Sequence, residues 1–361
     1  IEKRARNSVL HMILKVGNTK IEKFSSIDIT LKYDSVASTF AFTFYYDRNN
    51  SEVGQLARYG SYARCQIIDD DGTVLITGTV LSQAYEDGAN KSLTGISGYS
   101  VPGVLEDCEI PVSLYPLQSD GKTLKQIAEY LLRPFGIGLT IDEWENFTEI
   151  VKAADEVIPK ITASEKQSVK SYLSEIAAQK NIIIGHTAGG NLRFTRAYAN
   201  GPSLYHFSSG MPNVKINVNF DGQGMHSEIT IVKQADMDGG NVGEASVRNP
   251  YVSAYRPAVK VQTTGTDITS ELAAKNMLAA ELKNIKVVIT IGGLQKFRWN
   301  GNQIRPNALI DVTAPECNIN RRTQFFIEQV QLIETNTEQT AVLTCVVPEV
   351  HNGDTPINRL R

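Results

Sequence analysis

Tyr62-Ala63-Arg64-Cys65-Gln66-Ile67-Ile68, then Asp69-Asp70-Asp71-Gly72, then Thr73 through Tyr85: this stretch, continued to Pro111, decides the fold class. A second turn, Glu86-Asp87-Gly88-Ala89-Asn90, leads to Ser92–Tyr99, giving three strand-length runs separated by turn chemistry. Asp-Gly favours hairpins because the turn needs φ > 0, which glycine adopts without a Cβ clash. Ala63, Cys65 and Ile67 alternate with Tyr62, Arg64 and Gln66. Leu75, Thr77, Thr79 and Leu81 alternate with Val74, Ile76, Gly78 and Val80. A two-residue period with one polar-tolerant face predicts an antiparallel meander in a small barrel or sandwich.

Working outward, Ile27, Ile29, Leu31 and Tyr33 alternate with Asp28, Thr30 and Lys32. After a break at Asp34-Ser35, Phe40, Phe42, Phe44 and Tyr46 alternate with Ala41, Thr43 and Tyr45. Both runs read as half-buried strands, and Asp47–Ser51 closes the pair as a polar loop. These strands suffice for a small, nearly closed barrel. After Pro111 the texture changes. Thr123 and Gln126 are spaced as a capping box, Leu124, Ile127, Ala128 and Leu131 follow helical spacing, and Pro134 stops the helix. A second helix starts near Ser168, with Val169, Tyr172, Leu173 and Ile176 on one face, and feeds a hairpin through Gly189-Gly190-Asn191. Glu143–Ala163 is charged and weakly periodic, which predicts a surface excursion.

Val214–Asn219 and Glu228–Val232 are strand-like, and Ala235–Asn249 reads as a long Gly/Asp/Asn-rich loop. Ile268–Leu282 is a predicted helix and Val287–Ile291 a predicted strand. Leu309–Val312, Phe325–Ile333 and Ala341–Val347 form a last strand set, with Ala314–Arg322 as a polar loop and Glu334–Glu338 as a turn. That set shares the strand–loop–strand–turn–strand order of the opening stretch, so a duplicated β-domain is expected. The predicted class is α+β, mainly β: two small antiparallel tube-like β-barrel domains with a smaller α+β domain between them. Residues 1–111 form the first, with strands in 201–234 as candidates to complete it. Residues 112–200 form the α+β domain, and 201–361 the second barrel with helix 268–282 and a C-terminal tail.

The 361 residues, 42% hydrophobic and 21% charged, suit two or three globular domains. A net charge of −3 argues against a dedicated nucleic-acid binder, which would carry a basic patch or stripe. Cys65, Cys108, Cys317 and Cys345 show no Cys-x-x-Cys spacing and read as buried free thiols. Ile1–Asn7 is charged and Val9–Leu14 is short, so no signal peptide is expected. No run approaches the roughly 18 apolar residues of a membrane span. A soluble chain made in a reducing cytoplasm, without stable membrane insertion, is expected.

Catalytic and ligand spacings are missing. Gly121-Lys122-Thr123 has Pro116 where a phosphate-binding loop needs glycine, and Thr123 reads as a helix cap. Asp69-Asp70-Asp71-Gly72 lacks the spaced carboxylates of a calcium loop. The histidines at 11, 186, 206, 226 and 351 have no ligand spacing, and no Gly-x-Ser-x-Gly elbow occurs. Glu143, Glu145 and Glu149 read as a solvated face. No catalytic, cofactor-binding or metal residue is assigned, and no cofactor is expected.

The order of features resembles the baseplate hub proteins of contractile-tailed bacteriophages, including the Mu-type hub, and the hub domains of contractile secretion spikes. The strand pair Ile27–Tyr33 and Phe40–Tyr46 carries the likeness, with Gly72–Gly78, Leu93–Ser100 and Val104-Leu105-Glu106-Asp107-Cys108. In the family a Gly-rich strand end precedes an Asp-Leu-x-Asp-Cys-like run. Here Gly103-Val104-Leu105-Glu106-Asp107-Cys108 lacks the first acid and the basic residue after the glycine. Thr123–Ile137 and Ser168–Phe194 match the family's helix ending in Phe-Gly-Ile and its helix–hairpin. The resemblance implies a virion protein and a homotrimer between tail tube above and spike below. Three subunits would present six barrels, adapting six-fold to three-fold symmetry. Other baseplate subunits would dock on it, and DNA would cross its channel without sequence readout. Edge strands are expected to be covered in the ring, lumen faces to be polar, and Asp47–Ser51, Glu86–Asn90, Ala235–Asn249 and Glu334–Glu338 to lie at its ends or periphery. Two other classes compete. A tail-associated cell-wall hydrolase needs paired carboxylates. A carbohydrate- or receptor-binding β-protein needs an aromatic platform, whereas Trp144 and Trp299 lie in different regions.

Overall fold

Alternating burial organises the chain as the sequence predicts. The computed structural model describes residues 12–45, 58–69, 71–86, 93–115, 121–142, 148–158, 162–164, 166–233, 244–262 and 269–360. The chain divides into two compact units. The first comprises Ile1–Arg196, Gly292–Ile304 and Val330–Ala341; the second comprises Ala197–Ile291, Arg305–Gln329 and Val342–Arg361. In chain order the first unit begins with β1 (Met12–Val16), β2 (Thr19–Ile21), β3 (Ser26–Lys32), β4 (Thr39–Tyr45), β5 (Arg64–Asp69), β6 (Val74–Glu86) and β7 (Leu93–Ser100). It continues with α1 (Val104–Asp107), α2 (Leu124–Leu132), β8 (Leu139–Ile141), α3 (Thr148–Asp155), α4 (Val169–Gln179), β9 (Ile183–His186) and β10 (Leu192–Thr195). The second unit follows with β11 (Tyr205–Ser208), β12 (Val214–Phe220), β13 (Glu228–Lys233), β14 (Glu244–Arg248), β15 (Pro257–Gln262), α5 (Ser270–Leu282) and β16 (Ile285–Ile291). The rest is β17 (Arg298–Trp299), β18 (Asn302–Gln303), β19 (Ala308–Ala314), β20 (Ile319–Thr335), β21 (Gln339–Val346) and α6 (Glu349–Asn352).

In the first unit Phe40, Phe42 and Phe44 are buried while Ala41 and Thr39 are exposed, as a two-residue period requires. Ile27 and Ile29 stand opposite Phe42 and Phe40 in the antiparallel β3–β4 register, and Phe24 stacks on Phe42 at 4.8 Å. Each such side chain contributes roughly 2–3 kcal/mol of burial. The sheet runs β3-β4-β7-β6-β5-β1-β2, and the other neighbour of β3 is β20. Strand β6 spans 13 residues. Its first half pairs with β5, its second half with β7, and a register shift between Val80 and Ser82 bends it between the two. Glycine is required at 98: a Cβ there would overlap the Thr79 carbonyl oxygen and approach Phe40 at 2.7 Å.

Residues after Ser100 build the small α+β layer. The capping box is present, with Gln126 N donating to Thr123 Oγ1 at 3.3 Å and Thr123 N donating to Gln126 Oε1 at 3.1 Å. Leu124, Ile127, Ala128 and Leu131 of α2 share a core with Tyr172, Leu173 and Ile176 of α4. A three-stranded sheet, β8-β10-β9, joins this layer, with β8 and β10 parallel. The surface excursion expected at Glu143–Ala163 is corrected over its middle: α3 buries Ile150 and Ala154 in the same core. Ile150, Ala153 and Ala154 sit at helical spacing, and packing outweighs the charges around them.

The second unit runs β12-β16-β21-β20-β19, with β11 parallel to β19. Numbered along the chain, both five-strand sets have the spatial order first, second, fifth, fourth, third: β3-β4-β7-β6-β5 and β12-β16-β21-β20-β19. The expected repeat is therefore present as topology. In the second set a three-stranded sheet, β14-β13-β15, and α5 are inserted between first and second strands.

The strands in 201–234 pair directly with none of β1–β7: β11, β12 and β13 pair with β19, β16, β14 and β15. Two sequence expectations change. The loop expected at Ala235–Asn249 ends in a strand, β14, because five alternating residues find a partner edge in β13. Residues 234–243 lie outside the described residues. The polar loop expected at Ala314–Arg322 is a single 3-10 turn at Pro315–Cys317, and β20 starts at Ile319, 17 residues long. Ile319 and Thr323 are buried between exposed Asn320, Arg321 and Arg322.

Gly98→Ala should lower stability by about 3 kcal/mol, since backbone rather than a flexible side chain meets the new methyl. Urea unfolding of parent and variant measures it; equal midpoints would contradict the close β6–β7 crossing.

Candidate functional site

The residues that sequence reasoning weighed for chemistry are engaged locally. At the acidic turn, Asp69 Oδ1 accepts from Thr73 N at 2.7 Å, and Arg298 Nη2 donates to Asp69 at 3.2 Å and Asp71 at 3.3 Å. Lys296 Nζ reaches Asp71 Oδ1 at 2.8 Å, and its hydrogen bond holds that carboxyl below its usual range. The turn therefore takes its cations from the chain. Glu149 accepts from Arg196 at 3.2 Å. Glu143, Trp144 and Glu145 lie outside the described residues, as do Asp47–Ser51 and residues 87–90. Trp299 is half-buried in β17.

Four histidines have protein partners. His186 meets Ser38 Oγ at 2.6 Å, His206 meets Thr313 Oγ1 at 3.1 Å, His226 meets Glu281 at 2.6 Å and His351 meets Glu328 at 3.0 Å. Among the described residues no group of three or more His, Cys, Asp or Glu could hold a metal ion, and no helix is long and apolar enough to cross a membrane. All four cysteines are free; Cys65 and Cys345 are buried, whereas Cys108 and Cys317 are half-exposed, contrary to the uniform burial expected. Burial pushes the Cys65 thiol up to about 12 and raises Cys345 as well. Burial also works to raise Glu328, but the His351 hydrogen bond and the Lys283 charge outweigh it and hold the carboxyl low.

What remains unengaged is backbone edge and sheet face. The open side of the first set carries Asp28, Thr30, Thr39, Ala41, Ser82 and Ser97, and forms a hollow of about 370 Å³ with Gly98 and Tyr99. In the second set the outward residues of β12 and β16 pair Lys215 with Thr290, Asn217 with Val288 and Asn219 with Lys286. Thr340, Val342 and Thr344 alternate with buried Ala341, Leu343 and Cys345 in β21. These outward stretches are mostly hydroxyl and amide, with Asp28, Lys215 and Lys286 as charges and Leu81, Val288 and Val342 as apolar members.

Several strand edges lack neighbours among the described residues, those of β12 and of the outer half of β6 among them. Strand β12 pairs with β16 alone. Beyond Val80, β6 pairs with β7 alone, and Gln83 Nε2 in that outer half is buried without a hydrogen-bond partner. Beside β12, Val218, Phe220, Tyr251, Cys317 and Leu360 line a pocket of about 470 Å³. Sequence reasoning anticipated exposed edges in general and missed these two. The only signal for β6 was a periodic run longer than its neighbours could cover.

No protein-family model matches the sequence, and no curated protein matches it. Solved structures do. A 43 kDa tail protein of prophage MuSo2 from Shewanella oneidensis aligns with a TM-score of 0.78 at 21% identity, over 95% of this chain and 99% of that one. A tail protein from Neisseria meningitidis aligns with 0.73 at 19% identity, over 94% and 98%. A component of the Escherichia coli type VI secretion system, structurally similar to the T4 bacteriophage tail proteins gp27 and gp5, aligns with 0.54 at 8% identity, over 96% and 80%. The chain has the fold of these tail proteins.

Two outcomes follow from the titrating groups. Thiol reagents should label Cys108 and Cys317 well before Cys65 and Cys345 in the folded protein; equal rates would contradict their burial. Because Glu328 is held low, its stabilisation is full above its unfolded pKa and lost as pH falls through its folded one. Glu328→Gln should cost about 1–3 kcal/mol at pH 7, with the gap to the parent closing below about pH 4, by urea unfolding across pH.

Proposed function

We propose that this chain is the structural hub of a phage tail baseplate, a trimeric ring joining a six-fold tail tube to a three-fold spike. The observation that carries this reading is the repeated strand order, first-second-fifth-fourth-third, in two sets of one chain. Two like sets per subunit give three subunits six, the count needed to meet a six-fold neighbour while keeping three-fold symmetry. Residues 1–111 and 201–361 then serve as the tube-like domains, with 112–200 as the α+β domain between them in sequence.

The strand edges support the ring. In the first unit β3 has a second neighbour, β20, and Gln331 Nε2 donates to Asp28 Oδ2 at 2.8 Å. By position in the repeat, β12 corresponds to β3 and β6 corresponds to β20. Strand β12 lacks the neighbour that β3 has, and the outer half of β6 offers an edge like that of β20. Pairing β6 of one subunit with β12 of the next would satisfy both edges, and repeating it three times would close the ring. The mostly polar outward stretches, in which Asp28 offsets part of the charge of Lys215 and Lys286, suit a lumen that water and DNA cross, since such walls cost little to hydrate. The tube protein, the spike and other baseplate subunits are the partners, and the virion is the location. The role needs no catalytic step or cofactor, in keeping with a fold shared with tail proteins.

Cryo-electron microscopy of particles carrying this chain should place a three-fold ring of it between tube and spike. A place on the tail fibres, or no tail association, would sink the reading. Purified protein should leave cell-wall peptidoglycan intact; digestion abolished by Glu149→Gln would instead establish the hydrolase.

A further inference from the structure

The inserted sheet β14-β13-β15 has no part in the ring contact above. Strand β14 pairs with β13 alone, and its other edge has no strand partner among the described residues. Its sequence is Glu244-Ala245-Ser246-Val247-Arg248, with 244, 246 and 248 exposed and Ala245 and Val247 half-buried. The residues alternate between two faces. Ala245 and Val247 lie on the side of Ile231 and Ile229, which are buried; α5 packs on β13 and β14. Glu244, Ser246 and Arg248 lie on the other face. Alongside β14 a groove of about 670 Å³ is floored by Leu278, Ala279 and Leu282 of α5 and bounded by Gly353–Pro356.

The order acid, apolar, hydroxyl, apolar, base is its own complement when reversed. Antiparallel pairing of β14 with a second β14, centred on Ser246, sets Glu244 opposite Arg248, Ala245 opposite Val247, and Ser246 opposite Ser246. Each charge meets its opposite and each half-buried apolar residue meets another. On its paired edge the strand already takes a partner that matches four of these five positions. There β13 places Glu228 opposite Arg248, Ile229 opposite Val247, Thr230 opposite Ser246 and Ile231 opposite Ala245, with Val232 opposite Glu244. Thr230 and Ser246 hydroxyls meet at 3.1 Å, and Ser246 donates to Glu228 at 2.9 Å.

We propose that β14 is a self-complementary edge through which two copies of this chain pair, antiparallel about a two-fold axis at Ser246. Strand spacing of about 4.8 Å would set the two α5 helices, each lying over β13 and β14, roughly 10 Å apart, a normal helix packing distance. Glu271 and Lys275 of α5 line the groove beside β14 and stand 3.0 Å apart within one copy. The alternative edge, β15, begins with Pro257, which cannot donate to a ladder, and exposes Val259, Lys260 and Val261, so it lacks the acid–base symmetry that makes β14 its own complement. The contact is isologous and separate from the head-to-tail pairing of a ring.

The test is sedimentation velocity of the full chain over a concentration series, with thermal melts to check that each variant folds. The parent should show a two-fold association. Glu244→Arg should weaken it at least tenfold by setting Arg against Arg248 twice, and Glu244→Arg combined with Arg248→Glu should restore it. Ser246→Cys, treated with a short bis-maleimide, should give covalent dimer well above the parent background from Cys108 and Cys317, and this readout stands even if a charge variant unfolds. A parent that stays monomeric, an association that Glu244→Arg leaves unchanged, or Ser246→Cys cross-linking no higher than the parent would overturn the proposal. A trimer insensitive to Glu244→Arg would overturn it while leaving the hub reading in place.

Discussion

A β-strand has two hydrogen-bonding edges, and every backbone group on them needs a partner or water. The rest of this structure depends on how two long strands meet that requirement. Strands β6 and β20 are 13 and 17 residues long, more than one neighbour covers. Strand β6 holds β5 on one edge along its first half and β7 on the other along its second, and β20 serves β19, β21 and β3. The register shift at Val80 and the absence of a side chain at Gly98 permit the close β6–β7 approach. A strand longer than its neighbours leaves a length of edge uncovered, and the proposed ring contact rests on that edge.

The buried and exposed faces divide the work. Inward positions are Phe, Ile, Leu and Val, whose burial supplies most of the favourable free energy. Outward positions on the two repeated sets are mainly polar or charged, such as Thr30, Arg64, Gln66, Asn217, Lys286 and Arg322, and tolerate water. Ion pairs act at the margins. The Arg298 and Lys296 contacts to Asp69 and Asp71 fix a hairpin turn, and being mostly at the surface they hold geometry more than they stabilise. The Lys283–Glu328–His351 group is more enclosed, and removing one member would strand the others.

Chemistry that might have marked an enzyme is spent on structure. His226 closes on Glu281, Thr123 caps a helix, and the acidic turn is neutralised by its own chain. Strand edges without partners among the described residues include those of β12, the outer half of β6 and β14. The two proposed contacts use them in one way, as backbone offered in extended form with specificity from alternate side chains.

The sequence by itself determined the strands with a strict two-residue period, such as Ile27–Leu31 and Phe40–Phe44, and the capped helices at Thr123 and Ser168. Local spacing is enough there, because an alternating run has only one way to bury its apolar face. It also carried the repeated strand pattern and the lack of ligand spacings. The tertiary structure alone decided the rest. Residues 244–248 and 319–323 became strand because a partner edge was present, and residues 148–155 became a core helix because α2 and α4 left an apolar surface to cover. Which edges stay unpaired was also beyond the sequence, since pairing is a relation between distant segments. A strand's own residues specify its faces, whereas its neighbours specify its edges.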